Sequence, residues 1–249
     1  MTIQTDIYDP SYVKDVFDRC SEKYIAFSYV CSFGFTERWR KQAVRNMPPP
    51  STSKPIGYDL MAGTGEVWPH VLKRWPETQS ITAIDISSGM HERAIGRLHK
   101  HRKHKIKFNE DDVLSTRLTA DACDFLTCTF GLKTFNSQQH EQLAKLVATV
   151  LKPGGTFTFV EASDPKRWLL RPLYLFHLKR SLPVIERIFL RGATDFAMIA
   201  TYTVEFGNAA QFAKHLKQHG LDVEFKKYFF GCATGVVGRK PTEANAEPV

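Results

Sequence analysis

A chain of 249 residues, 43% hydrophobic and 24% charged, is long enough for one α/β domain with additions or at most two small domains, and too apolar to be disordered. Its net charge of +8 admits nucleic acid, an anionic membrane surface, an acidic substrate or simply a solvated basic exterior, while five cysteines without a CxxC pair argue against structural zinc and for free thiols in a cytosolic protein. The opening MTIQTDIYDP has no basic head before an apolar run, and no stretch reaches the roughly 18–20 apolar residues of a bilayer span, so the sequence predicts a cytoplasmic protein, at most peripheral to a membrane.

Val13, Val16, Phe17 and Cys20 recur at helical spacing, and residues 11–45 read as helical. The four prolines of MPPPSTSKP (47–55) suit neither a helix nor a sheet ladder, which makes this run a linker. Strands and helices then alternate. A strand over 56–61 leads to a helix over 67–75, stopped by Pro76. A strand over 81–85 leads to a helix over 88–99, with Ser87 or Ser88 as N-cap. Strands over 105–109 and 122–129 precede a helix over 138–151, and after the turn Pro153-Gly154-Gly155 comes a strand over 156–160. This order predicts a Rossmann-like α/β fold, a mostly parallel sheet with helices on both faces.

Residues 164–206, rich in arginine, aromatics and leucine and broken by Pro165, Pro172 and Pro183, read as a helical lid insertion. A helix over 211–219, closed by Gly220, precedes two strands, 221–230 and 231–239, expected to form an antiparallel edge pair. The division is an N-terminal helical leader or substrate cap over 1–46, the sheet domain over 55–240 with the lid inside it, and a disordered tail over 241–249.

The run DLMAGTGE (59–66) carries the first chemical signal. Gly63 and Gly65 follow a strand and open a helix, where glycine permits a tight turn and close approach of a ligand. Asp85 ends the second strand, placed to accept hydrogen bonds from two ribose hydroxyls. An NAD site shares that arrangement. Against it, Trp68 stands where the third glycine of GxGxxG would let helix and strand pack, and Glu66 puts negative charge at a helix N-terminus, unsuited to a pyrophosphate. The loop better suits a cofactor with a sulfonium and an amino-acid group, S-adenosylmethionine. Candidate contacts are Asp59, Ala62, Gly63, Thr64 and Gly65 in the loop, Asp85 and Ile86 at the ribose, and Asp111, Asp112 and Val113 after the third strand, where one carboxylate meets an adenine amino group.

The segments VFDRCSEKYIAFSYVCSFGFTERWR (16–40), AGTGE (62–66), AIDISSGM (83–90), TFGLK (129–133), LKPGG (151–155) and VEAS (160–163) together resemble the class I methyltransferases and, within them, the ubiquinone/menaquinone C-methyltransferase family, from about residue 16 to 239. The resemblance implies a seven-stranded sheet ending in the antiparallel pair. It also implies that Thr129 and Phe130 flank the donor group and that Met90 lies beside the adenine. The substrate side departs from the family. Lys133 and Thr134 stand where the family carries arginine and asparagine, Ile25 and Ser28 replace an aspartate and an asparagine of the leader, and Asp195–Ile199 replace a tyrosine-rich segment.

Carbon methylation of a quinol needs a base at the phenol and alignment with the methyl donor. Tyr24 matches the family's leader tyrosine and is the candidate for substrate contact; Lys133 keeps a charge that could hold a phenolate. Tyr174 and His177 match the family's paired lid aromatics, and histidine is the residue type whose charge changes near neutrality. Glu161, ending the fifth strand, is the candidate for a divalent ion such as manganese, which no motif indicates; a hydrogen-bonded structural carboxylate is the plain alternative.

The implied substrate is an aromatic small molecule or a polyprenyl quinone. The stretch 166–191 alternates basic and apolar residues, as a bilayer-surface element, a lid over a greasy substrate or an ordinary packed insertion would. The basic run 93–107 lacks stacking aromatics, so nucleic acid is not an expected partner. Two rivals stand beside quinone methylation. A divergent relative of the family replaces a quinone methoxy group by an amino group, making rhodoquinone and again consuming S-adenosylmethionine. The other rival is a non-catalytic S-adenosylmethionine-binding module of a quinone-biosynthesis complex.

Overall fold

The computed structural model describes residues 6–101, 105–190 and 197–242, with side chains through Arg187 in the second stretch and from Met198 in the third. The tail from residue 243, Asp195 and Phe196 of the altered segment, Arg102 and Lys103 of the basic run, and the side chains of Ile188 and Phe189 lie outside the described residues.

The expected N-terminal helical run is three helices: α1 (Pro10–Cys20), α2 (Tyr24–Cys31) and α3 (Phe35–Asn46). Pro10 sits in the first turn of α1, and Asp9 caps it by accepting from Ser11 N at 2.9 Å and Tyr12 N at 3.4 Å. The first break follows Ser21, whose hydroxyl donates back to Asp18 O at 2.9 Å. The second falls at Gly34, which takes φ 74°.

The sheet is built from β1 (Ile56–Leu60), β2 (Ser80–Asp85), β3 (Lys105–Glu110), β4 (Cys123–Thr129), β5 (Leu151–Ala162), β6 (Asp222–Tyr228) and β7 (Ala233–Arg239). Their order is β3-β2-β1-β4-β5-β7-β6. The first five run parallel, while β7 is antiparallel to both β5 and β6. Helices α4 (Trp68–Arg74), α5 (Ser88–Lys100) and α6 (Ser137–Val150) connect the parallel strands. Asn136 and Gln139 form a reciprocal capping box at the start of α6. One core lies under α6 and α10 (Ala210–Gln218), where Leu126, Phe157, Phe159, Leu143, Val147 and Phe212 pack together. The other lies under α3 and α4, where Val44, Met47, Trp68, Val71, Ile81 and Phe125 meet. Both faces of the sheet are therefore apolar, as a parallel sheet requires.

Two strand boundaries differ from the sequence reading. The fifth strand begins at Leu151, not after the Pro-Gly-Gly turn. Cys123 pairs with Leu151 and Phe125 with Thr156, so residues 152–155 bulge out of one continuous strand. The last two strands are separated by a tight turn, Phe229–Gly231, in which Phe229 and Phe230 take φ 40° and 57°. The 164–206 insertion contains α7 (Arg171–Phe176), a turn of π-helix (His177–Ser181), α8 (Leu182–Leu190) and α9 (Ala197–Phe206). No described helix is long and apolar enough to cross a membrane.

Candidate active site

Ligands in open parallel sheets bind beyond the carboxyl ends of the strands, where the strand order reverses. That point is the gap between β1 and β4, and two adjoining cavities sit there. The smaller, about 70 Å³, is lined from the strand ends: Ala62 and Gly63 after β1, Asp85 and Ile86 at β2, Asp111, Asp112 and Val113 after β3, and Thr129 and Phe130 at β4. Met90, buried on α5, also faces it. The cofactor residues expected from the sequence are thus brought together, except three.

Asp59, Thr64 and Gly65 shape the loop from behind. Asp59 is buried and accepts from Trp68 Nε1 at 2.8 Å and Thr127 Oγ1 at 2.7 Å; burial pushes its carboxyl up to about 7. A Cβ on Gly65 would lie 2.5 Å from the Trp68 ring. Trp68 is therefore the floor of this loop, and the missing third glycine has no role to fill. Thr64 is fully buried with an unpartnered hydroxyl.

Asp85 accepts from Gly63 N at 2.7 Å on one oxygen and Ser87 N at 2.9 Å on the other. Each oxygen keeps a lone pair for a further donor. Burial raises this carboxyl to about 6 against the pull of those two amides. Nothing lies within 4 Å of where a Gly63 Cβ would project. The open space at Gly63 and the carboxylate of Asp85 fit the amino-acid and ribose parts of S-adenosylmethionine.

The larger cavity, about 290 Å³, is walled by α2, α3, α7, α9 and the Phe229 turn. Tyr24, Lys133, Tyr174 and His177, the four catalytic candidates, all line it. Phe17, Tyr24, Phe130 and Thr134 line both cavities and form the partition between them. Bulky residues with positive φ gather here: Phe33 (51°), Met61 (51°) and Phe130 (68°). Burial drives the phenols of Tyr24 and Tyr174 well above their ordinary range, so both remain neutral donors and neither serves as a base near neutral pH. His177 Nε2 lies 2.9 Å from Cys31 O. A carbonyl only accepts, so Nε2 carries a proton, and in the neutral ring the lone pair is on Nδ1.

Lys133 and Glu161 meet each other. Lys133 Nζ lies 2.8 Å from Glu161 Oε1 and 3.0 Å from Phe130 O, and Glu161 also accepts from Lys133 N at 3.1 Å and Ala162 N at 2.8 Å. Glu161 is fully buried. It is a hydrogen-bonded carboxylate that neutralises the lysine, and no cluster of three metal-ligating side chains occurs among the described residues. Of the departures from the family pattern, Ser28, Lys133, Thr134, Met198 and Ile199 line the cavity, whereas Ile25 is exposed outside it.

Sequence reasoning missed Arg40, Phe17 and Met61. Arg40 had a signal. It lies on the same face of α3 as Ala43 and Val44, a charged residue on a buried helical stripe.

The strand order, with an acidic residue closing β2 above a glycine loop, defines a Rossmann-like, S-adenosylmethionine-dependent methyltransferase of class I. The chain belongs to the ubiE/COQ5 methyltransferase family, which it matches over residues 4–240. It is 26% identical to a demethylmenaquinone methyltransferase of Staphylococcus saprophyticus over 92% of this chain and 96% of that one. It is 24% identical to the protein of that name in Bacillus cereus, over 92% and 95%. In fold it resembles a Haemonchus contortus phosphoethanolamine N-methyltransferase 2 in complex with S-adenosylmethionine, with TM-score 0.65, 13% identity, and 92% of this chain and 60% of that one covered.

Proposed function

We propose that this enzyme modifies a polyprenyl or related aromatic quinone, transferring a methyl group to a ring carbon. The carrying observation is the partition. An aromatic-lined apolar cavity abuts the cofactor cavity across Phe17, Tyr24, Phe130 and Thr134, the arrangement an oily acceptor and a polar donor need. The relatives named as demethylmenaquinone methyltransferases support the same substrate class. S-adenosylmethionine supplies an electrophilic methyl group when bound. The acceptor reacts as the reduced quinol: Tyr24, on the partition and neutral, donates a hydrogen bond to a quinol oxygen, His177 Nδ1 accepts the phenol proton, the ring carbon takes the methyl group, and loss of the proton on that carbon restores the aromatic ring; the α7–α9 insertion keeps water out.

A second reading has its own observation. The cation at Lys133 is cancelled by Glu161, leaving no free charge to hold a phenolate where the family carries arginine. This removes one support for methylation and leaves as the alternative the replacement of a quinone methoxy group by an amino group, an amine donor supplying the nitrogen and the methoxy group leaving as methanol. Incubation with S-adenosylmethionine, with and without manganese, against a panel of quinones and quinols, read by mass spectrometry, separates the readings. Methylation raises the acceptor mass and the exchange lowers it. Cofactor binding with no altered acceptor anywhere in the panel would leave only a binding module.

The same reading places the cavity mouth at a membrane surface. Leu169, Leu173 and Phe176 on and before α7, Phe33 between α2 and α3, and Phe230 are all more than half exposed, beside exposed Lys166, Arg167, Lys179 and Arg180.

A further inference from the structure

We infer that Arg40 and Glu66 form a paired-charge subsite for the zwitterionic head of the cofactor, Arg40 taking its carboxylate and Glu66 its ammonium group. The inference rests on S-adenosylmethionine as cofactor and not on the identity of the acceptor.

Arg40 is 4% exposed and faces the smaller cavity, as Glu66 does. The Arg40 Nε has no hydrogen-bond partner. Its charged contacts are long: Nη2 to Glu66 Oε2 at 3.3 Å and Nη1 to Glu37 Oε2 at 3.8 Å, against about 2.7–2.9 Å for a well-formed pair. Glu37 is half exposed and already shared with His70 at 2.7 Å. A buried guanidinium normally has its donors filled by a bidentate carboxylate. Here the buried Nε goes unpartnered and the guanidinium borders the smaller cavity, its carbon 4.9 Å from the centre of the Phe130 ring.

Glu66 beside Arg40 selects a zwitterion. A simple anion would meet the carboxylate of Glu66 beside the guanidinium, whereas an α-amino carboxylate satisfies both groups at once. Because Phe130 also belongs to the partition, a head group anchored at Arg40 sets the position of the cofactor relative to the acceptor cavity.

Calorimetry on the full chain tests this with three nucleosides: S-adenosylmethionine, S-adenosylhomocysteine, and 5′-methylthioadenosine, which lacks the amino-acid head. Arg40→Gln is expected to weaken binding of the first two by about tenfold or more and to leave 5′-methylthioadenosine unchanged. Glu66→Gln is expected to show the same selectivity, and Arg40→Lys, which keeps the cation but not the fork, an intermediate loss. Parallel weakening of all three ligands by both Arg40→Lys and Glu66→Gln, or no weakening at all, overturns the subsite. Failure of the unaltered protein to bind S-adenosylmethionine overturns the cofactor assignment instead.

Discussion

Asp85 links protonation to cofactor binding at the scale of a single residue. Its carboxyl is raised by burial to about 6, and only the ionised form accepts two ribose hydroxyls well. For the free protein, a raised carboxyl contributes stability that is present below its unfolded value and lost as pH rises through about 6. For the complex the sign reverses, since ligand donors favour the ionised form. Cofactor affinity is therefore expected to be level above neutrality and to fall as pH drops through about 6, while Asp85→Asn binds weakly at every pH without that step. Calorimetry at pH 5, 6, 7 and 8 checks this; a wild-type affinity that is flat across the range refutes it.

Gly63 and Asp85 were legible in the sequence because loop chemistry fixes their spacing. The Lys133–Glu161 pair was not. The two residues are far apart in the chain and meet only because β4 lies against β5, which turns a presumed substrate cation and a presumed metal ligand into each other's partner.

Among the elements, α1 behaves as a clasp. Asp18 accepts from Ser87 Oγ at 2.6 Å and Gly89 N at 3.0 Å, placing a carboxylate on the N-terminus of α5, and Lys14 reaches Asp18 at 2.9 Å and Glu110 at 3.5 Å. Pro10, Val13 and Phe17 of the same helix line the cofactor cavity. The segment ahead of α1 is tied down as well: Tyr202 donates to Ile7 O at 2.5 Å and Gln139 to Tyr8 O at 3.0 Å. Asp18→Ala removes a charge-assisted anchor worth about 1–3 kcal/mol. It is expected to speed hydrogen exchange across residues 10–20 and to raise the cofactor off-rate by about tenfold or more. Unchanged protection of α1 in the variant counts against the clasp.

Capped, periodic elements such as α5 and α6 could be placed from sequence alone. The bulge in β5 could not, because it is defined by the register of a partner strand. Nor could the π-helical turn carrying His177, whose side chain meets Cys31 O of α2 across the fold.

Over the whole molecule, Phe33 and Leu173 are exposed where they line the larger cavity, and Leu169, Phe176 and Phe230 are exposed as well, so the proposed bilayer contact falls on these residues. Sedimentation with vesicles of mixed neutral and anionic phospholipid tests that contact. The wild type is expected to bind and to be released by salt in part, as both apolar and charge contacts require. Leu169→Glu combined with Leu173→Glu is expected to abolish binding while leaving cofactor affinity intact, because neither side chain reaches the smaller cavity. Equal sedimentation of variant and wild type would falsify the bilayer contact. The fold class and the cofactor half could be read from sequence because both rest on short contiguous motifs. The acceptor half draws its walls from five separate segments of the chain (16–39, 130–134, 162–182, 198–202 and 229–232), and no single segment announces it.

The partition has a consequence for how such an enzyme changes over time. Among the described residues, only Phe17, Tyr24, Phe130 and Thr134 border both chambers. The remaining walls of the acceptor chamber can therefore be rewritten without disturbing the nucleoside-binding half, and a new reaction can be acquired on an unaltered reagent. An AGTGE loop that keeps the family pattern beside Lys133, which departs from it and lines the larger chamber alone, fits that freedom: one chamber under fixed constraint, the other open to revision.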